Sequence, residues 1–593
     1  MSSTVESASG VRVRFESPTG LPDDVRAKVW AYAQAYLGMI RRATGAAVPL
    51  LVIGYDGRPN GPEISSLMVR AWRTGGARVA WLGRVTTPIL ESSIRTLKAH
   101  GGAMVTASHN PFDARSGYWN GWKFCTPAKS CDELPVAEGA LLPPGVMKAL
   151  IAQANSGTPT APKGADAALG FFPSEMSAGD GPLPPPAPGV PAAFPMPGNA
   201  LAEKVFYGYL SEVREELGMA GNGEFGAFRK TLAALPESDR TLVFDCVGGG
   251  ACGWNKAVAE RFGFSVVELN AQPGIFSRQI EPIGAALTDA MAEVKARGAV
   301  LACCFDADAD RGNVVADVEI HPQYVAAVNV AARLSAALRD GREKIAVVAH
   351  CAASPLIAQT AKLLGAKLEY VETGEVNVVG KMRAFSVGGY VAVGVEAYNG
   401  GTVFPGSRCR DGLLTALSTA ALLRDREASA LLMRRLGASG TPATLPELAA
   451  SLPRYHHLQG NVKFGAAQSS VTDAEILVAK PFSKENLAAL KERLDGSAAE
   501  AGAWAGLNLA TVRNLLAGEN VEGIVEGRMA RVRTGNFSGG YRIELSDADG
   551  RPAAAWFRPS QTGTEFRFGA FARTAEDART IQAALAALLE RAA

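Results

Sequence analysis

Two short stretches carry residue types whose spacing could do chemistry. Thr106-Ala107-Ser108-His109-Asn110-Pro111 directly follows a strand-like apolar run. This puts Ser108 in a loop at the carboxyl end of a strand, where α/β domains bind ligands. A serine hydroxyl is a weak nucleophile without an activating partner, and adjacent His109 is a poor candidate because neighbouring side chains diverge. On local chemistry alone, a turn and a nucleophile are equally consistent. The second stretch, Asp306-Ala307-Asp308-Ala309-Asp310-Arg311, follows Val300-Leu301-Ala302-Cys303-Cys304-Phe305. Its three alternating carboxylates are hard ligands suited to Mg²⁺, an ion often shared between carboxylates and phosphate oxygens. A solvated acidic turn is the plain alternative, but such turns rarely follow so apolar a strand, which favours metal binding. An EF-hand fails because its sixth position is Arg311 rather than Gly, its twelfth is Asp317 rather than Glu, and a strand precedes it. Arg311 could pair with a phosphate or neutralise the carboxylates.

Two later loops add recognition chemistry. Glu396-Ala397-Tyr398-Asn399-Gly400-Gly401 ends another strand-like run, and its Glu and Asn could hydrogen-bond sugar hydroxyls while the glycines admit a close approach. Arg558-Pro559-Ser560-Gln561-Thr562-Gly563-Thr564-Glu565 combines a guanidinium, three hydroxyls and a glycine, the makings of an anion cradle. Alone, each also reads as a plain polar turn.

The elements that must position these loops follow a repeated rhythm of apolar strand-type runs and longer helix-type segments, the mark of α/β domains. Strands are expected at 50–54, 79–82 and 102–106, with helices at 63–73 and 89–98. The rhythm returns at 241–244, 253–262, 265–269 and 299–305. It comes a third time at 344–349, 355–364, 367–371, 390–395 and 411–424. The tail differs: a helix at 484–494, strands at 521–533, 541–545 and 554–557, and a final helix at 576–591 suggest a smaller α+β domain. Residues 141–198 hold 13 of the 34 prolines, so a flexible or polyproline-like insertion without a regular packed element is expected there. The 593 residues require several domains. With 60 Lys+Arg against 58 Asp+Glu, the net charge of +2 gives no reason to bind nucleic acid or an anionic membrane. Eight Cys without a Cys-x-x-Cys pair argue against a disulfide scaffold or zinc ribbon. The absence of a signal-peptide pattern and of long apolar stretches leads to the expectation of a cytoplasmic chain; its oligomeric state is not legible.

In this order, the motifs resemble the α-D-phosphohexomutase family of phosphoglucomutases, phosphomannomutases and phosphoglucosamine mutases. The resemblance extends from about Val52 to Arg579 and includes lesser echoes: Gly54-Tyr55-Asp56-Gly57-Arg58, Thr87-Pro88, Asn120-Gly121-Trp122-Lys123, Asp245 with Gly248-Gly249-Gly250, and Asp411-Gly412. It implies three similar α/β domains plus a C-terminal α+β domain around a central cleft. The corresponding segments are 1–205 with the phosphoserine loop, 206–322 with the metal loop, 323–440 with the sugar loop, and 455–593 with the phosphate loop. It implies that Ser108 carries a phosphoryl group exchanged with a hexose 1- or 6-phosphate, mannose or glucose foremost, through a 1,6-bisphosphate that also serves as activator. Mg²⁺ would be held by Asp306, Asp308, Asp310 and a phosphoserine oxygen. Lys123 would assist proton transfer, with His109 and Arg311 beside it. Glu396 and Asn399 would take the sugar, and Arg558, Ser560, Thr562 and Thr564 the distal phosphate.

Departures from the family pattern bear on the substrate. Extra residues separate Asn110 from Asn120, and no Arg follows Gly20, where an early Arg is expected. The sugar loop has Asn399-Gly400-Gly401, and the basic residue near Thr373-Gly374-Glu375 is lost or moved to Lys381. Phe566 stands where Pro is usual. The alternatives are a phosphoglucosamine mutase, a non-catalytic sugar-phosphate-binding relative, and a phosphatase with Asp306 as nucleophile. The last fits poorly, since Asp310 stands where that class has Thr or Val.

Overall fold

The structure, a computed structural model, describes residues 3–7, 9–131, 134, 138–157, 200–396, 401–464, 475–478, 504, 507–514, 525–526, 540–559 and 566–592. The chain divides into two compact units, one made of 1–325, 399–430 and 441–448, the other of 326–398, 431–440 and 449–593.

In the first unit, a mixed sheet is built from Gly117–Cys125, Gly101–Val105, Leu50–Tyr55 and Arg78–Arg84, in that spatial order. The last three are parallel and the first antiparallel. A second sheet repeats the arrangement with Gly312–Val315, Leu301–Phe305, Thr241–Asp245 and Ser265–Leu269. In the other unit, Val391–Val395, Ile345–His350 and Lys367–Val371 repeat the parallel part. Strands such as Leu301–Phe305 are buried along their whole length, and continuous apolar runs are what parallel strands covered on both faces require. Three of the candidate loops therefore leave the same topological position: in chain order, Ser108 follows the last of the three parallel strands of the first sheet, Asp306 that of the second, and Glu396 that of the third.

The C-terminal sheet is largely antiparallel, through His456–Phe464, Phe566–Ala572, Pro552–Pro559 and Tyr541–Ser546, with helix Ala575–Ala592 packed on it. The α+β reading of the tail agrees with this; the helix expected at 484–494 and most of the strand at 521–533 lie outside the described residues.

The first sheet is wider than the sequence suggests. Strands Ser3–Ser7 and Gly10–Phe15 extend it, and helix Asp23–Thr44 buries Val29, Tyr32, Tyr36 and Ile40 beneath it. One expectation needs correction. The proline-rich stretch begins with a packed helix, Pro144–Asn155, that buries Met147, Leu150 and Ala154 against the first core. Pro144 and Pro143 sit at its start, where a missing N–H breaks no helical bond, so these prolines open a helix rather than prevent one. Residues 158–199 lie outside the described residues. All eight cysteines are free thiols. No helix among the described residues is long and apolar enough to cross a membrane.

Candidate active site

The serine loop and the aspartate loop meet in the first unit. Ser108 is 1% exposed and has φ of +54°, a left-handed conformation that a non-glycine residue holds only when its surroundings enforce it. The enforcement is visible. Thr106 Oγ1 accepts the Ser108 N–H at 2.8 Å, and the Arg58 guanidinium donates to the carbonyls of Ser108 and Asn110 at 2.9 and 2.6 Å. Arg58 is itself wholly buried and paired with Asp56, whose carboxyl is raised by burial against the opposing pull of Arg58. The Ser108 hydroxyl donates to Asp306 Oδ2 at 3.0 Å and accepts from Arg311 Nη1.

The three carboxylates of Asp306, Asp308 and Asp310 are buried, with one oxygen of each within 4.8 Å of the others. Arg311 donates to Asp306 Oδ2 at 2.9 Å and lies 3.5 Å from Asp310 Oδ1. Lys123 Nζ donates to Asp308 Oδ2 at 2.8 Å and Asp310 Oδ2 at 3.3 Å, while Thr87 Oγ1 donates to Asp308 Oδ2 at 2.8 Å. Asp308 Oδ1 is buried with no hydrogen-bond partner among the described residues. A buried carboxylate oxygen left this way fits a metal ligand, so the donor set suits a hard divalent cation. Burial and then the charges of Asp310 and Asp308 push the Asp306 carboxyl up to about 7. Burial also acts to raise Asp310, but Arg410, Lys123 and Arg311 outweigh it and hold that carboxyl well below the usual range.

Lys123 stands in register because the residues between Asn110 and Asn120 form a short side hairpin, Phe112–Asp113 against Gly117–Tyr118. The main strand then pairs Lys123 with Met104. His109 is neither the donor to nor the acceptor from the Ser108 hydroxyl among the described hydrogen bonds. Burial, then Arg311 and Arg12, hold its imidazole well below its ordinary pKa and therefore neutral, and its Nδ1 is buried without a hydrogen-bond partner among the described residues. Glu396 follows strand Val391–Val395, and Arg558 lies in strand Pro552–Pro559 opposite Arg567; both belong to the other unit. Asn399, Ser560, Thr562 and Thr564 lie outside the described residues. Lys381 pairs with Glu369 at 3.3 Å.

Three cations of the site have no motif of their own in the sequence. The first is Arg12, two residues after Gly10 and ahead of the Gly20 stretch where no Arg follows. It is 6% exposed, and burial, then Arg311, bring its guanidinium down to about 10 while Asp308 and Asp310 oppose the shift. Arg12 pairs with Gly121 across adjacent strands, and a Cβ on Gly121 would collide with the Val11 carbonyl oxygen, so glycine is required for that approach. The signal was the alternation Val11, Val13, Phe15, with Arg12 on the opposite face. Arg58 appeared only as part of a weak echo. Arg410, whose Nη2 lies 3.2 Å from Asp310 Oδ2, had no signal at all. The other echoes are scaffold: Gly248-Gly249-Gly250 packs on Gly57, Ala307 and Val85, and Asp245 pairs with Arg278 at 2.7 Å.

Comparison with known proteins agrees with this arrangement. Family models for phosphoglucomutase/phosphomannomutase match as α/β/α domain I over residues 6–129, domain II over 224–318 and domain III over 322–436, together more than half of the chain. A phosphoglucosamine mutase from Cereibacter sphaeroides is 25% identical over 455 residues, covering 74% of this chain and 83% of its own. Among solved structures, parafusin (a phosphoglucomutase) from Paramecium aligns with a TM-score of 0.64 at 15% identity, over 99% of this chain and 94% of its own. A phosphoglucomutase/phosphomannomutase family protein from Burkholderia thailandensis aligns with a TM-score of 0.62 at 17% identity, over 99% and 97%. The chain therefore belongs to the phosphoglucomutase/phosphomannomutase family, the α-D-phosphohexomutases.

Proposed function

We propose that this enzyme interconverts a hexose 1-phosphate and the corresponding 6-phosphate, with Ser108 as the phosphoryl carrier. The observation that carries the reading is the Ser108 hydroxyl 3.0 Å from Asp306 Oδ2, at the edge of a buried three-carboxylate cluster. Phosphoserine 108 gives its phosphoryl group to the free 6- or 1-hydroxyl of the bound monophosphate: the new sugar O–P bond forms as the serine O–P bond breaks, the sugar hydroxyl loses its proton, and the Ser108 oxygen takes one up to become a hydroxyl. The resulting 1,6-bisphosphate then returns its other phosphoryl group to the Ser108 oxygen, so the enzyme regains its phosphoserine and the product leaves as the opposite monophosphate. A free hexose 1,6-bisphosphate would prime unphosphorylated Ser108.

Asp306, Asp308, Asp310 and a phosphoserine oxygen would hold Mg²⁺, which when bound neutralises charge on the transferring group. Arg311, already at the serine hydroxyl and Asp306, orients the oxygen and offsets phosphate charge. Lys123 is the proposed proton-transfer group, fixed by Asp308 and Asp310. Arg58 acts on the backbone, holding the loop that aims the nucleophile. His109, kept neutral, lines the nucleophile loop rather than adding charge. Glu396 and Asn399 are assigned to the sugar hydroxyls, and Arg558, Ser560, Thr562 and Thr564 to the non-reacting phosphate. Four segments are the proposed domains, with 323–440 and 455–593 kept and the boundary at 205/206, which would cut the continuous helix Ala200–Glu216, moved past its end, giving 1–216 and 217–322. Mannose and glucose phosphates are the proposed substrates, and glucosamine phosphate is the alternative suggested by the Cereibacter relative.

The test is conversion of mannose 1-phosphate, glucose 1-phosphate and glucosamine 1-phosphate to their 6-phosphates, with Mg²⁺ and the matching 1,6-bisphosphate. Comparison of kcat/KM across the panel names the substrate. Inorganic phosphate as the main product would replace the mutase reading with the phosphatase one.

A further inference from the structure

The three clustered aspartates are not equivalent. Asp306 meets the serine hydroxyl and Arg311, and Asp308 meets Lys123 and Thr87 and keeps one buried oxygen without a hydrogen bond among the described residues. Asp310 instead faces three cations: Arg311 at 3.5 Å, Lys123 at 3.3 Å and Arg410 at 3.2 Å. Two of these belong to the motifs of the phosphoryl-transfer site. Arg410 does not; it comes from the segment just before helix Gly412–Arg424.

Arg410 is held there by a built network. Asp411, its neighbour, caps the helix by accepting the Leu414 N–H at 2.9 Å, and its other oxygen accepts from Tyr209 at 2.7 Å. Glu216 accepts the Gly406 N–H at 2.6 Å, and Arg408 pairs with Glu138. The Gly412 N–H reaches the carbonyl of Ala309, inside the aspartate loop itself, at 3.4 Å. A Cβ on Gly312 would lie 2.7 Å from Gly412 Cα, so the two backbones touch. An arginine braced on both sides and 8% exposed differs from a mobile surface ion pair, whose contribution is small.

We propose that Arg410 is a positioning residue that sets the strength of the cation site. Its fixed charge on Asp310 withdraws that carboxylate's charge from an incoming Mg²⁺, leaving Asp306 and Asp308 as the dominant anionic ligands. A cation bound with less ligand charge keeps more of its attraction for the phosphoryl oxygens. The trade is weaker binding of the ion for stronger polarisation of the group being transferred. The inference rests on the assignment of the three aspartates to a metal site.

Calorimetric titration of MgCl₂ into the full chain tests it, with Arg410→Met, Arg410→Gln and Arg410→Lys alongside, all matched for Ser108 phosphorylation by intact mass. Removal of the positive charge is expected to tighten Mg²⁺ about tenfold in both neutral variants, as loss of a nearby like charge should, while kcat falls at little change in KM. The lysine variant should stay within about threefold of the parent in Mg²⁺ affinity, because it keeps the charge. Two neutral variants of different shape guard against one that fails to fold. Unchanged or weaker Mg²⁺ binding in a folded neutral variant overturns the proposal. No Mg²⁺ binding by the parent chain would instead overturn the metal assignment beneath it.

Discussion

The serine loop and the aspartate loop occupy equivalent places, after the last parallel strand in chain order of two sheets that share a four-strand core arrangement, yet they are reinforced in opposite ways. The serine loop is gripped from behind by a buried side chain: Arg58 takes two of its carbonyls and forces Ser108 to a positive φ. The aspartate loop also has a left-handed residue, Ala309 at φ +54°, but its support is backbone against backbone, through Gly312, Gly412 and the Gly248-Gly249-Gly250 turn. The difference matches the proposed chemistry. A nucleophile alternating between hydroxyl and phosphoester, the role proposed for Ser108, would need an aimed oxygen in a pocket of cations. The metal loop proposed for the aspartates would need several charges at fixed spacing, which commits its own side chains. One topology can therefore serve both proposed roles by changing what stiffens the turn.

Breaking the serine side should have the largest effect. Ser108→Ala is expected to lower mutase turnover by at least about 10⁴-fold and to remove a mass increment of one phosphate from the purified chain; normal turnover would discard the nucleophile. On the aspartate side, Asp308→Asn should lower turnover by about 10³-fold and weaken Mg²⁺ in the same titration, since Asp308 has a buried oxygen with no hydrogen-bond partner among the described residues. Arg58→Met tests the clamp itself. It leaves Asp56 buried without its ion pair, so a loss of about 3–5 kcal/mol is expected in denaturant unfolding, together with lower turnover. An unchanged melting curve would show that the serine loop needs no clamp.

The smallest effect concerns protonation. In the metal-free chain the Asp306 carboxyl lies near 7, above its unfolded value, so the folded state holds a proton that the unfolded state has already released. Stability should therefore be greatest below about pH 4 as far as this group is concerned, and should decline as pH rises to about 7. Asp306→Asn should flatten that slope, and saturating Mg²⁺ should reverse it by favouring the ionised form. A slope unaffected by either would place the titration elsewhere.

The same contrast explains what the sequence could disclose. Ser108 and the three aspartates, which the structure brings together, stood out in the sequence because each loop packs its polar groups into six consecutive residues, and the strands leading into them are apolar throughout. Segments 265–269, 355–364 and 367–371 match observed elements residue for residue. Arg12 and Arg410 were not legible, because neither has a local motif. Arg12 reaches the site by strand register opposite Gly121, and Arg410 by a loop braced on Tyr209, Glu216 and Glu138. Helix Pro144–Asn155 was obscured for another reason. A proline at a helix start and a proline in a linker look alike until Met147, Leu150 and Ala154 are given a core to pack on.

The glycine contacts have a mechanical consequence. A Cβ on Gly57 would collide with the Gly248 carbonyl oxygen, and one on Gly249 with that of Ala307. Main chain alone thus spans the distance from the turn beside Arg58 to the loop of the carboxylates. Rotamer changes cannot lengthen or shorten such a strut, and drift in surrounding side chains cannot easily retune it. The gap between serine oxygen and carboxylates then behaves as a gauge block of the scaffold, and adaptation to sugars of different shape must come from parts of the protein that do not bear on it.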